Sequence, residues 1–285
     1  MSRNPTVRGF FHEPTQSIAY LVADGRHAAI IDPVLDYDEK SGRVSTEFAD
    51  ALIAAVKERG LRVDWILDTH PHADHFSAAP YLKSKLGAPM ATGEHVVDVQ
   101  KLWKDIYNLP DFRADGSQWD HLFADGDSLA IGSIEGLVIY SPGHTLASIT
   151  YVFGDAAFIH DTMFQPDGGT ARTDFPGGSA DALYDSIQKI LALPDTTRLF
   201  TGHDYQPNGR PVAFESTVAE QKATNIHFRT KPTREQYVAV REARDKTLPM
   251  PRLILHALQV NMRGGRLPDP ETNGRSYLKI PIGAL

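Results

Sequence analysis

Three histidines and an aspartate fall within the seven residues "THPHADH", Thr69 to His75, directly after the apolar run "VDWIL". A strand that delivers such a cluster into a turn constrains the rest of the fold, because buried imidazoles and carboxylates must be hydrogen-bonded or coordinated. His70 and His72, two residues apart on an extended turn, can aim at one point, and Asp74 and His75 at a neighbouring one. Further candidates stand at turns after apolar runs: His144 in "SPGHTLAS", Asp161 in "FIHDTMF" and His203 in "FTGHDYQ". Four segments therefore offer seven candidate ligands. The chain has no cysteine, which excludes disulfides, thiolate ligands, iron–sulfur clusters and cysteine nucleophiles. A metal here is held by His and Asp, a donor set that suits zinc, iron or manganese.

The other histidines, His12, His27, His95, His121, His227 and His256, read as structural or exposed. His160 precedes Asp161 on an expected strand, so alternation directs its side chain to the opposite face and out of the site.

Around the cluster, short β-type runs alternate with helical ones. "SIAYLVAD" and "HAAIID" read as strands paired across Asp24-Gly25, "STEFADALIAAVKERG" as an amphipathic helix, "RVDWILDT" as a buried strand and "FSAAPYLKSKLG" as the helix after it. Strand, ligand loop, helix is where α/β proteins place chemistry. "DSLAIG", "IEGLVIYS", "SITYVFG", "AAFIHD" and "TRLFTG" read as strands, and "SADALYDSIQKILAL", "AFESTVAEQKATNIHF" and "TREQYVAVREARDK" as helices; a Pro-rich hinge "TLPMPR" leads to "LILHALQVNMRGGRLPDP". Two β-rich halves faced by helices predict an αββα sandwich with a helical C-terminal extension.

Lys plus Arg number 29 against 36 Asp plus Glu, a net charge of -7, and no basic run stands out, so nucleic acid and anionic membrane are not expected partners. No apolar stretch approaches the ~18 residues of a membrane helix. The first residues lack a signal-peptide pattern, and the expected location is cytoplasmic.

HxHxDH followed by a lone His, a lone Asp and a last His resembles the signature of the metallo-β-lactamase superfamily, over roughly residues 15 to 230. The resemblance implies an α/β fold, the αβ/βα four-layer sandwich, with residues 1–230 as that domain and 231–285 as a helical extension packing on it. "ARTDFPGG" and "GHDYQ" are similar to segments of the persulfide dioxygenases (sulfur dioxygenases). The related glyoxalase II has a Phe-Phe-Glu-Gly type stretch in place of "TDFPGG" and His-Glu-Tyr in place of "HDY". "GGTAR" departs from the dioxygenases' Gly-Cys-Gly-Arg, and "LHALQVNMRGGRLPDPETNG" resembles a bacterial branch of them.

That resemblance implies one Fe(II) per chain on His70, His144 and Asp161, with zinc as an adventitious occupant. His72, Asp74, His75 and His203 become a second shell or a second metal site. Asp204 and Tyr205 would shape the pocket or hold the second shell, and Arg172 would position the loop or a substrate carboxylate. Independently of the resemblance, arginine suits the carboxylates of glutathione, and one of Arg263 and Arg266, on a tail folded back over the metal, would help hold the thiol. The reaction implied is oxidation of glutathione persulfide by O₂ to sulfite and glutathione, with the small thiol persulfide, O₂ and a second copy of the chain as partners. Two rivals stand beside it: a dinuclear hydrolase of glutathione thioesters or lactones, for which all seven ligands are present, and a noncatalytic metal- or thiol-binding module.

Overall fold

The computed structural model describes residues 4–285. Two six-stranded sheets lie face to face among these residues. The first runs in the order Thr6–His12, Ser17–Asp24, His27–Ile31, Arg62–Leu67, Met90–Gly93, His121–Phe123; the second runs Ser128–Ile131, Ile134–Tyr140, Ile149–Phe153, Ala156–His160, Arg198–Thr201, Glu215–Thr217.

Side-chain alternation explains the layering. In Ser17–Asp24, Ile18, Tyr20 and Val22 join the core between the sheets, whereas Ala19, Leu21 and Ala23 face the helical layer behind. In Ala156–His160, Ala156 and Phe158 point between the sheets, and Ala157 and Ile159 point to the second helical layer. Strands buried on both faces read as continuous apolar runs, as these do. The result is the αβ/βα four-layer sandwich.

Helix Glu47–Glu58 buries Ala49, Leu52, Ile53 and Val56, spaced along one face, with Glu47 and Asp50 in its first turn and Lys57 in its last. Leu52 is fully buried, so Leu52→Ala costs about 2–5 kcal/mol. Helix Ala180–Leu191 starts where Ser179 Oγ accepts from Ala182 N, and its buried Leu183, Ile187 and Ile190 cover the second sheet.

The two C-terminal helices divide between the layers. Arg234–Asp245, opened by a Thr233–Gln236 capping box, places Tyr237 in the core of the second helical layer. Ile254–Asn261 packs its Ile254, Ala257 and Leu258 into the first. No helix among the described residues is long and apolar enough to cross a membrane.

Candidate metal centre

Each candidate ligand follows the carboxyl end of a strand: His70 after Arg62–Leu67, His144 after Ile134–Tyr140, Asp161 after Ala156–His160 and His203 after Arg198–Thr201. The sheets are joined at this end, where Ile18 N donates to Gly202 O at 2.8 Å and Ser17 bridges to His203. Local geometry forces the turns. Gly143 has φ of +129°, and a methyl group on it would overlap the backbone of Leu183 at the start of a helix.

Hydrogen bonds fix the tautomers. His144 Nδ1 lies 2.9 Å from Arg172 O and His203 Nδ1 lies 3.1 Å from Gln16 O. A carbonyl only accepts, so both Nδ1 atoms carry the proton. Thr69 Oγ1 gives its hydrogen to Asp32 Oδ2 at 2.9 Å and so accepts from His70 Nδ1 at 3.0 Å. In the neutral form all three rings present a bare Nε2 lone pair, the form a metal requires. These three Nε2 atoms surround Asp161 Oδ2, at 3.8 Å from His70, 3.5 Å from His144 and 3.4 Å from His203.

The ligand atoms of His70, His144 and Asp161 lie within 4.8 Å of one another, as do those of Asp74, Asp161 and His203, so two groupings share Asp161. His72 groups instead with Asp74 and His75, and with Asp32 and Asp68; its Nε2 is 3.1 Å from Asp32 Oδ1. Burial works against a charge on His72, but Asp32 outweighs it and pushes its pKa up to about 9. Burial lowers the pKa of His70 and of His144, holding both neutral. On His203 burial is outweighed by Asp161, and its pKa stands well above the usual imidazole value. Asp161 resists burial in the same way through His203, which keeps it a carboxylate.

The site fits a metal ion on its own terms. His70 Nε2, His75 Nε2 and Asp161 Oδ1 are buried and have no hydrogen-bond partner among the described residues. Unpaired buried polar atoms are costly and rare; His70 and Asp161 belong to one grouping and His75 to a neighbouring one, and coordination by a cation is what would satisfy such atoms.

A cavity of about 870 Å³ opens over the cluster; His144, Asp161, His203 and Asp74 border it, and Phe164, Phe175, Tyr205, Ile226, Leu248 and Leu253 supply its apolar walls. Tyr205 stacks its ring on His203, with centroids 5.5 Å apart and planes at 2°. Arg172 lines the cavity, yet its guanidinium is bound to Asp174 and to Pro249 O, so it ties the loop down.

Several expectations need correction. Asp204 is turned away from the cavity: it is buried against Arg210, with both carboxylate oxygens paired at 2.6 and 2.7 Å, and accepts from Ala213 N. Arg263 and Arg266 do not line the cavity. Gly264 and Gly265 turn the chain with positive φ, and Arg263 lies over the Phe112 ring at 4.9 Å. The arginines on the cavity wall are Arg172, Arg241, Arg244 and Arg252.

His160 is not on a remote face. A register shift between Phe158 and His160 and a φ of +41° break the alternation, and its ring packs 5.2 Å from that of His70. His227, read as structural or exposed, accepts from Thr170 N and also borders the cavity.

Sequence reasoning missed Asp32 and Asn261. Asp32, at φ +50° before Pro33, holds Thr69 through N and Oγ1. Asn261 Nδ2 donates at 2.7 Å to both His72 O and His75 O, and its Oδ1 accepts from Ser77 N at 2.8 Å. The signals were present: an aspartate ending an apolar strand, and an asparagine on the buried face of an apolar helix.

Comparison with known proteins follows the same lines. Residues 12–203 match the sequence family described as the metallo-beta-lactamase superfamily. Over 99% of its length the chain is 66% identical to a beta-lactamase hydrolase-like protein of Xylella fastidiosa, of which it spans only 66%. It is 48% identical over 91% of its length to glyoxylase B2 of Dictyostelium discoideum, covering 90% of that protein. It is 32% identical over 91% of its length to the mitochondrial persulfide dioxygenase ETHE1 of Bos taurus, covering 88% of it. The crystal structure of ETHE1 from Myxococcus xanthus superposes with a TM-score of 0.73 at 30% identity, over 92% of this chain and 100% of that one.

Proposed function

The chain belongs to the metallo-β-lactamase superfamily, a fold that serves several reactions, and from that premise we propose an Fe(II)-dependent persulfide dioxygenase that converts glutathione persulfide, O₂ and water to glutathione and sulfite. The observation that carries this reading is the position of His72. With its Nε2 beside Asp32, His72 stays out of the grouping that His70 and His144 form with Asp161. Two imidazoles and one carboxylate leave open positions on one face, the donor set of non-haem Fe(II) oxygenases. Iron held there would supply a common binding point for O₂ and the persulfide sulfur and electron transfer between them, which zinc cannot supply.

The chain's own residues have definite parts. Thr69 and the Arg172 carbonyl hold the His70 and His144 rings with Nε2 forward. Phe164, Phe175 and Tyr205 keep water from the bound sulfur. These 285 residues contain no cysteine, so in this reading the persulfide arrives on a thiol that they do not supply. ETHE1 of Bos taurus carries the name of this activity.

One observation favours a second reading, a dinuclear hydrolase of glutathione thioesters: Asp74, Asp161 and His203 form a neighbouring grouping that shares Asp161, as two bridged metals activating water would require. Glyoxylase B2, at 48% identity, is more similar to this chain than ETHE1 of Bos taurus, at 32%.

Metal content and oxygen uptake on anaerobically iron-loaded protein separate the two. The dioxygenase reading expects one ion per chain, sulfite release with O₂ consumption, no turnover with zinc, loss of metal in His144→Ala and retention of most of it in His203→Ala. Two fully occupied sites, with rapid hydrolysis of S-lactoylglutathione and no oxygen uptake, would overturn it.

A further inference from the structure

We propose that Asp245, held in place by Arg241, is a positioning residue that orients and polarises His144 through a single peptide group. Both residues lie on helix Arg234–Asp245, one turn apart, with side chains 3% exposed. Arg241 Nε and Nη2 donate to Asp245 Oδ1 at 2.9 and 2.6 Å. A buried ion pair is a poor source of stability, because desolvation of the two charges offsets most of their attraction. The remaining bonds of the pair show where it acts.

All of them reach one short span. Arg241 Nη1 donates to Thr170 O at 2.8 Å. Asp245 Oδ2 accepts from Thr173 N at 2.9 Å and from Thr173 Oγ1 at 3.0 Å. The Thr173 N–H and the Arg172 C=O belong to the same planar peptide unit and point in opposite directions. The Arg172 carbonyl is the group that accepts from His144 Nδ1 at 2.9 Å. The connection therefore runs from the Asp245 carboxylate, through N–H and C=O of one peptide, to the imidazole whose Nε2 faces Asp161.

This arrangement does the work of the carboxylate that commonly backs a metal-bound histidine, with a peptide interposed. A carboxylate on the N–H side polarises the peptide, makes the Arg172 oxygen a stronger acceptor and so makes His144 Nε2 a stronger donor to a cation. It also fixes the peptide plane, and with it the direction of the ring. Arg241 holds the carboxylate in place through its two bonds to Oδ1. The inference rests on the cluster holding a metal and is independent of which reaction follows.

Co²⁺ serves as the probe, through its dissociation constant by chelator competition and its visible absorption bands. The double variant Arg241→Met, Asp245→Asn removes both charges together and leaves an amide oxygen for Thr173 N–H. It should bind Co²⁺ about tenfold to a hundredfold more weakly, with shifted bands and near-normal thermal unfolding of the metal-free protein. Arg234→Ala, which cuts the same helix's surface pair with Asp185, should change neither the affinity nor the bands. Asp245→Glu keeps the charge opposite Arg241 but moves the carboxylate off Thr173 N–H, and carries the test should the double variant fail to fold. A folded double variant or Asp245→Glu protein with wild-type affinity and wild-type bands would overturn the proposal. Wild-type protein that took up no Co²⁺ at all would overturn it together with the metal reading, an outcome distinct from the first.

Discussion

Asn261 is the residue through which helix Ile254–Asn261 grips the ligand loop, and its replacement gives a sharp test of that grip. Its side chain is 3% exposed and makes three short bonds, two as donor to the carbonyls of His72 and His75 and one as acceptor from Ser77 N. Each such bond contributes about 1 kcal/mol net, and a buried partner left unpaired costs about 1–3 kcal/mol. Asn261→Ala should therefore destabilise by about 3–5 kcal/mol, which at roughly 2–4 °C per kcal/mol lowers the melting temperature by roughly 6–20 °C. Asn261→Asp is nearly isosteric but can only accept when ionised. It satisfies Ser77 N and sets a negative oxygen against two carbonyl oxygens. At pH 8 it should be at least as damaging as alanine and should lose metal from the loop; acidification, which returns one O–H donor, should narrow the gap. Thermal unfolding and metal retention of both variants provide the assay. A loss below about 1 kcal/mol for Asn261→Ala, or an Asn261→Asp variant as stable as wild type at pH 8, would refute the reasoning.

Gly202→Ala should release metal without gross unfolding, because a methyl group there overlaps Asp161 Oδ1; unchanged metal content would count against Asp161 as a ligand. His227 gives a pH signature. Burial, with Arg241 and Arg244 adding to it, lowers its pKa from 6.5 to about 4, so the unfolded chain takes up a proton that the folded one refuses. Its contribution is complete above pH 6.5 and is lost as pH falls toward 4, by about 3 kcal/mol. In denaturant titrations the stability difference between wild type and His227→Gln should shrink by about that much from pH 7 to pH 4, and a difference flat with pH would contradict it.

What the sequence made legible follows from period and punctuation. The ligand cluster stands out because histidine and aspartate are dense there, and helices Glu47–Glu58, Ala180–Leu191 and Arg234–Asp245 stand out because apolar spacing and caps agree. The reading failed where local signals were weak or tertiary contacts decided. Residues 213–228 read as one helix, but Glu215–Thr217 pairs as an edge strand with Arg198–Thr201 and the helix begins only at Val218. Three polar residues at a sheet edge carry no alternation to reveal them. Strand Met90–Gly93 and helix Val96–Ile106 drew no reading at all, since "MATG" is short and small and is fixed by pairing with Arg62–Leu67. The bulge at His160 and the turn at Gly264-Gly265, which misdirected the expectations for His160, Arg263 and Arg266, are backbone events that a periodic pattern cannot carry. Asp204 was expected on the pocket wall and is not there, because its partner, Arg210, lies beyond a tight turn whose residues Gln206 and Asn208 adopt positive φ.

The candidate ligands come from both sheets, with His70 behind the first and His144, Asp161 and His203 behind the second. During synthesis "THPHADH" emerges long before its partners, so the site exists only in the finished fold. A cation seated across that seam binds the folded chain and not the nascent one, and each tenfold excess of free ion over its dissociation constant adds about 1.4 kcal/mol to stability. Proteases that sample unfolded chains would then clear metal-starved copies first. The lifetime of the protein in a cell thereby becomes a gauge of how much of that ion the cell has to spare.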